Sequence, residues 1–393
     1  MILNVDVMPC RYELLRRRTA VRLLQIKPYK MITIKQQLIS YIAPGAPATR
    51  RPASGDLPSL RPEIGFTPKW YRGALGIDFG ERWHTNPEYR RQTRIKMRLE
   101  IEKRFPGTTI GQNGQNTIDL LTGTYGASAI AAIYGIPIRY DHDNWPTSEH
   151  QYLSDAEIEN LAHPDLDQNP FFQSLLNQVD WIGEKEGRIS GFMNWQGVLN
   201  NAQRLRGQEI FTDLFLAPER TRHLLECVST TMIDAAKKLH QKQNKYEATL
   251  SFFTVSNCLV NMVDPELYEE FLLPFDQKIA KAFDVIGIHN CAWSATLYLC
   301  HYSRIPKVAY LDMGINSDLK KAVQLLPDTH RSIMYTPMDV ANKSRDEIKN
   351  DLEKIACEYG PCDIVAADIE YGTPDSKVME FIDLCDNISK EHL

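Results

Sequence analysis

What this 393-residue chain lacks narrows the field first. No apolar run approaches the roughly 20 residues that a membrane-spanning helix needs, so no membrane span is expected. Neither sign of charge dominates. The net charge of −5 gives no global electrostatic reason to expect nucleic acid or an anionic membrane as partner. The eight cysteines (Cys10, Cys227, Cys258, Cys291, Cys300, Cys357, Cys362 and Cys385) are unevenly spaced, with no CxxC pair and no secretory signal ahead of them. That argues against a disulfide framework and for reduced thiols in a cytoplasm. There is no internal repeat, and no G-x-G-x-x-G turn follows the first strand, which removes the dinucleotide-binding fingerprint. What is present is an ordinary globular composition, 43% hydrophobic and 24% charged, so a substantial core is expected. A small molecule or a protein becomes the default partner.

The first 60 residues stand apart. Arg16, Arg17, Arg18, Arg22, Lys27, Lys30 and Lys35 alternate with apolar residues over positions 1–42. Sparse Ser and Thr, with Asp6 and Glu13 intruding, fit a transit peptide poorly, so a loosely attached extension is expected, with Met31 as an alternative start. Positions 43–62, rich in Pro, Ala, Gly and Ser, read as a linker. Beyond it, short β-branched runs alternate with helical periods. Strands are predicted at 74–79, 108–111, 136–140, 187–192, 249–255, 285–288, 307–311, 332–335 and 363–367, and helices at 87–104, 218–239, 265–283, 317–326 and 344–359. Pro87, Pro218 and Pro265 fall in first turns, where a missing N–H costs nothing. This alternation predicts an α/β protein with a parallel sheet, closed as a (β/α)8 TIM barrel over residues 61–393, with one strand left over and an N-terminal extension.

Polar residues recur at the predicted strand ends: Asp78, Asn113, Asn194 with Gln196, Asn257 with Cys258, His289 with Cys291, Asp312, and Asp368 with Glu370. In a barrel these ends share one face, where active sites of the fold lie. Taken singly, each is as well explained by a helix cap or an Asx turn. The sharpest group is Gly287-Ile288-His289-Asn290-Cys291. Two positions apart on a strand end, an imidazole and a thiolate can face one ion, with Asp312 as a third ligand and Asp368 or Glu370 as a fourth. Asp78, Glu81, Arg82 and His84 offer a second constellation, able to bind a polar substrate or to move a proton. Asp141, His142, Asp143 and Trp145 read as a salt-bridged loop. Asn194, Gln196 and Asn257 read as substrate-orienting amides, or as loop hydrogen bonding.

From about Pro62 to the end, the chain resembles the uroporphyrinogen decarboxylase superfamily, which also holds zinc-dependent methyltransferases serving corrinoid proteins and is related to cobalamin-independent methionine synthase. The most specific piece is Asp264-Pro265-Glu266-Leu267-Tyr268-Glu269-Glu270-Phe271-Leu272-Leu273-Pro274, similar to the superfamily's helix entry, followed one helix later by His289-x-Cys291. Ala217-Pro218-Glu219 and the final strand before Thr373-Pro374 add to it. The R-Q-A-G-R segment of the decarboxylases is not kept: the similar place, Thr67-Pro68-Lys69-Trp70-Tyr71-Arg72, retains one arginine. The methyltransferase branch adds a last-strand cysteine to its H-x-C pair. Here that position is Asp368, Ile369 or Glu370, while Cys362 stands at the wrong end of the strand. An oxygen ligand, or Cys258 from the neighbouring strand, would have to stand in.

The resemblance thus implies a zinc-dependent methyltransferase moving a methyl group between a small-molecule donor or a thiol acceptor and a corrinoid (cobalamin) cofactor on a partner protein. His289, Cys291, Asp312, Asp368 and Glu370 are the expected metal ligands, with Cys258 as substitute. Asp78, Asn194, Gln196 and Asn257 are the expected catalytic residues. The alternatives are a decarboxylase-like enzyme acting on a tetrapyrrole or other carboxylate, and a non-catalytic barrel that binds a corrinoid or a partner.

Overall fold

The computed structural model describes residues 58–108, 118–248 and 250–392. The centre is a six-stranded, all-parallel sheet. Its strands are β1 (Leu60–Phe66), β4 (Phe252–Ser256), β5 (Val285–His289), β6 (Val308–Gly314), β7 (His330–Met334) and β8 (Cys362–Ile369), in the order β1-β8-β7-β6-β5-β4. A separate antiparallel hairpin, β2 (Ile138–Arg139) with β3 (Thr147–Ser148), stands off this sheet. Parallel strands need crossover connections, and the helices that supply them cover the sheet. β8, with all but one of its eight residues buried, has the near-continuous apolar pattern of a strand packed on both faces.

The α/β class and the parallel sheet are as expected; the closed barrel is not found. Among the described residues no ladder joins the edge strands β1 and β4, so the sheet stays open. Two expected strands account for much of this. The 187–192 stretch begins with Gly187, which caps helix Pro170–Glu186 at φ 70°, and its one ladder contact is the isolated Asp119–Ser190 bridge. At 74–79 the apolar residues end a helix instead, Pro68–Leu75. Thr67 caps that helix by accepting from the Trp70 N–H, and Gly76 closes it in the left-handed region. The 136–140 strand survives only as the hairpin, and most of 108–111 lies outside the described residues. So do Asn113 and all but the last few positions of the extension and linker.

The linker's end is also corrected. Leu60, Arg61 and Pro62 belong to β1, paired with Cys362, Asp363 and Ile364. Pro62 is tolerated because β1 is an edge strand with one neighbour. Ser389 of the last helix, Asp375–Glu391, ties β1 down: its hydroxyl accepts from the Leu60 N–H and donates to the Leu60 carbonyl, both at 2.9 Å.

The predicted helix at 265–283 is interrupted. A π turn, Tyr268–Leu272, sits between Pro265–Leu267 and Leu273–Ala282. Pro274 cannot donate to the carbonyl of Glu270, one turn back, and the Arg222 guanidinium donates to that oxygen instead at 3.2 Å. Asp264 caps the entry by accepting from Leu267 N at 2.7 Å. Among the described residues no helix is long and apolar enough to cross a membrane.

Candidate metal centre

A cavity of about 500 Å³ opens at the carboxyl ends of the strands. Its floor is made by Thr254 and Ser256 of β4, His289 of β5 with Cys291 just beyond, and Ala367 and Asp368 of β8. Residues Thr122, Phe192, Asn194, Arg204 and Trp145 belong to the walls.

His289 and Cys291 of this floor come together with Cys258, each of the three half-buried, with one ligand atom apiece within 4.8 Å of the others. The Cys291 thiol donates to Cys258 Sγ at 3.1 Å, and Cys291 Sγ lies 3.1 Å from His289 Nε2. Local backbone explains the convergence. Asn257 N donates to the His289 carbonyl at 2.7 Å, extending the β4–β5 ladder so that Cys258 emerges beside β5. Cys291 takes φ 54°, a left-handed bend uncommon for a residue with a side chain, directly after the strand. Gly314 lets β6 pass this bend, because a Cβ there would stand 2.0 Å from the Ala292 carbonyl oxygen.

Behind His289 stands Asp312, fully buried. Its Oδ2 lies 2.7 Å from His289 Nδ1, and its Oδ1 accepts from Asn290 N at 2.8 Å. Asn290 returns a bond from its amide to the Asp312 carbonyl and accepts from the Tyr302 hydroxyl at 2.6 Å. The carboxylate therefore orients the ring and leaves Nε2 facing the thiols, the arrangement that metal-binding histidines use. Burial works against a charge on His289, but Asp312 and the two sulfurs outweigh it and raise its pKa well above the usual value. The thiols share a proton. The bond from Cys291 and the histidine charge draw Cys258 down to about 5, and Cys291, left holding the proton beside a thiolate and itself buried, is pushed upward.

A second network stands behind Cys258. Asp276 Oδ2 accepts from Tyr268 Oη at 2.7 Å and Asn257 Nδ2 at 3.1 Å. Its burial pushes the carboxyl up to about 6, against the pull of those two bonds. The amides of the wall form a third. Asn194 Oδ1 accepts from Gln196 N and Nε2 at 3.0 Å, and Asn200 Nδ2 donates to Gln196 Oε1 at 2.9 Å.

The expected site residues therefore divide. His289, Cys291 and the substitute Cys258 meet, as do Asn194 and Asp368 at the cavity. Asp312 stands one layer back, with both oxygens already engaged. Asp368 is outside the three-residue cluster and hydrogen-bonds Trp145, and its Oδ1, shut off from solvent, has no partner. Burial raises its pKa. Glu370 is exposed. The group that could hold a metal ion is therefore two sulfurs and a nitrogen, while the expected carboxylates stand outside it, since β4 and β5 are neighbours and β8 lies further along the sheet. Asn257 turns away from the cavity toward Asp276. Asp78 lies on the surface, where it meets His142 at 2.8 Å and accepts from Gly80 N. His84 is buried, accepts from Tyr125 N at 2.9 Å, and is held neutral by burial and by Arg90, its pKa lowered to about 3.

Two residues went unnoticed in the sequence. Trp145 was grouped with a salt-bridged loop, yet it leaves that loop for the cavity. Arg204 was passed over, although it follows Asn200 by four positions and so shares its helix face in Val198–Arg206. Its guanidinium makes no hydrogen bond or ion pair among the described residues, and its Nε is shut off from solvent. Burial lowers its pKa, with Cys258 pulling the other way.

No family model and no curated protein matches the chain. Among solved structures it is similar to a methyltransferase from Methanosarcina mazei, with a TM-score of 0.60 and 16% identity over 87% of this chain and 95% of the other. At that identity the likeness carries the fold.

Proposed function

We propose that the protein is a zinc-dependent methyltransferase of the uroporphyrinogen decarboxylase superfamily, exchanging a methyl group between a small molecule and a corrinoid held by a partner protein. The observation that carries this reading is the Cys258–His289–Cys291 cluster, two of whose members, His289 and Cys291, line the cavity. Two thiols and an imidazole whose far nitrogen is anchored by a buried carboxylate suit zinc, and three protein ligands leave the open position typical of a catalytic site. Bound there, zinc would supply Lewis acidity, keeping a thiol acceptor ionised or polarising the heteroatom that carries the methyl group. The fold likeness to a methyltransferase supports the same reading.

The chain's own groups have definable parts. Asp312 holds the His289 ring with Nε2 toward the cluster. Asp368, a carboxyl favoured in its neutral form by burial, can donate a proton on the β8 side of the cavity. In methyl transfer from an oxygen or nitrogen donor, the methyl leaves without its bonding pair, and the heteroatom keeps that pair and takes a proton. In this reading Asp368 would be the donor of that proton.

The test is metal content by elemental analysis, for the wild type and for the His289→Ala, Cys291→Ala double variant. About one zinc per chain, lost in the variant, supports the reading. A wild type that stays metal-free after reconstitution with zinc removes it.

A further inference from the structure

A cationic side chain that makes no hydrogen bond and meets no carboxylate among the described residues faces the cavity. Arg204 projects from the last turn of helix Val198–Arg206, lines the cavity and lies within electrostatic reach of Cys258. The other arginine of that turn shows what a settled guanidinium looks like in this protein. Arg206 donates to Asp213 at 2.7 Å and to the Leu153 carbonyl at 3.0 Å, and also meets Asp155 and Glu209. Arg204 has none of this among the described residues. A half-buried guanidinium whose donors find no acceptor is unfavourably placed, and an oxyanion would complete it.

We infer that Arg204 is the anion-binding residue of the cavity, and that the small-molecule substrate carries a carboxylate, phosphonate or sulfonate on a largely apolar body. The guanidinium fork suits such planar or tetrahedral oxyanions. Phe192, Met193, Met334, Ala127 and Trp145 provide apolar surface for the body. The cluster and Arg204 share the β4 side of the cavity while Asp368 stands on β8, so a bound anion fixes which end of the molecule meets the acid. This inference deepens the methyltransferase reading and rests on it for the word substrate. The recognition itself does not need the metal.

Binding is therefore measured calorimetrically on metal-stripped full-length protein. The probes are 3-phenylpropionate, 2-phenylethanesulfonate and 2-phenylethylphosphonate, with uncharged 3-phenylpropanamide as the reference. We expect at least one acid to bind about tenfold or more tighter than the amide, the scale of a charge-assisted hydrogen bond. Arg204→Gln should erase that preference and Arg204→Lys keep part of it. Thermal unfolding gives an independent reading. Arg204→Met should melt at the same temperature as the metal-stripped wild type or higher, because it removes a half-buried charge that makes no hydrogen bond. An acid preference absent from the wild type, or persisting in Arg204→Gln, overturns the inference, as does a marked fall in melting temperature in Arg204→Met.

Discussion

At the amino ends of the strands Arg61, His330 and Asp363 close on one another, Arg61 Nε donating to Asp363 Oδ1 at 2.6 Å and His330 Nε2 lying 2.7 Å from Oδ2. At the carboxyl ends of the same sheet, Arg204 and Asp368 Oδ1 have no partners, and two thiols share a proton beside a histidine. Both ends hold charged groups that are buried or half-buried. They differ in whether each charge meets an opposite charged side chain: Arg61 and His330 share the Asp363 carboxylate, whereas Arg204 meets none. The first end is what stability alone requires, since a buried ion is tolerable once paired. The second is incomplete in a way that a metal and an anionic ligand would correct. A cation without a carboxylate, next to a thiol–imidazole cluster at the carboxyl ends of a parallel sheet, thus marks the site more sharply than any single residue type.

The comparison breaks most visibly through exchange of the consequences. Replacing His289 and Cys291 by Ala should abolish metal binding with a modest effect on folding. Asp363→Ala should destabilise the fold by about 3 kcal/mol, by leaving Arg61 and His330 buried without their carboxylate, and should leave the metal bound to the folded fraction. Denaturant unfolding together with metal analysis of both proteins checks this. If Asp363→Ala lost metal without losing stability, the two ends would not be separate in function.

Asp312→Asn comes next. It keeps the shape behind His289 and removes the charge that fixes the ring, so zinc affinity should fall by about 10- to 100-fold, read by competition with a chromogenic chelator. Loading the site should also release protons, because His289 and the thiols hold them in the metal-free protein and ligands bind deprotonated. Zinc affinity should therefore rise with pH, and the calorimetric heat should depend on the buffer's ionisation enthalpy. Heat that is the same in every buffer would show that no proton leaves.

The smallest effect concerns Asp276. Its folded-state pKa, raised to about 6 from 3.8, means that the folded protein holds a proton that the unfolded chain gives up earlier. The stability it contributes is full below pH 4 and is lost as pH rises through 6, by at most about 3 kcal/mol. Asp276→Asn can still accept from Tyr268 and Asn257. It should flatten that slope, and unfolding at pH 4.5 and 7.5 measures it. An unchanged slope would assign the pH dependence elsewhere.

Much of this site was legible before any coordinates. His289 and Cys291 two apart at a strand end announce a shared face, and the Asp264 cap with its following proline marks the helix leading to them. The part played by Cys258 was less legible, because it depends on β4 and β5 being neighbours, which spacing along the chain does not state. Nor does spacing state how far the end of β8 lies from that pair, and Asp368 falls outside the three-residue group while Glu370 is exposed. Arg204 was hidden for a different reason: an arginine late in a helix ordinarily looks like a solvated charge, and only the missing partner distinguishes it. The closed barrel was over-read from short apolar runs such as 74–79, where a capped helix buries Trp70 and Tyr71 and competes with a strand for the same residues.

The central claim is that Cys258, from the strand beside His289 and Cys291, completes a sulfur-rich metal site. X-ray absorption at the zinc edge of the reconstituted protein tests it most directly. The account predicts two sulfur neighbours at about 2.3 Å and one nitrogen at about 2.0 Å, falling to one sulfur in Cys258→Ser. A single sulfur in the wild type, with the rest of the shell made of oxygen, would contradict it.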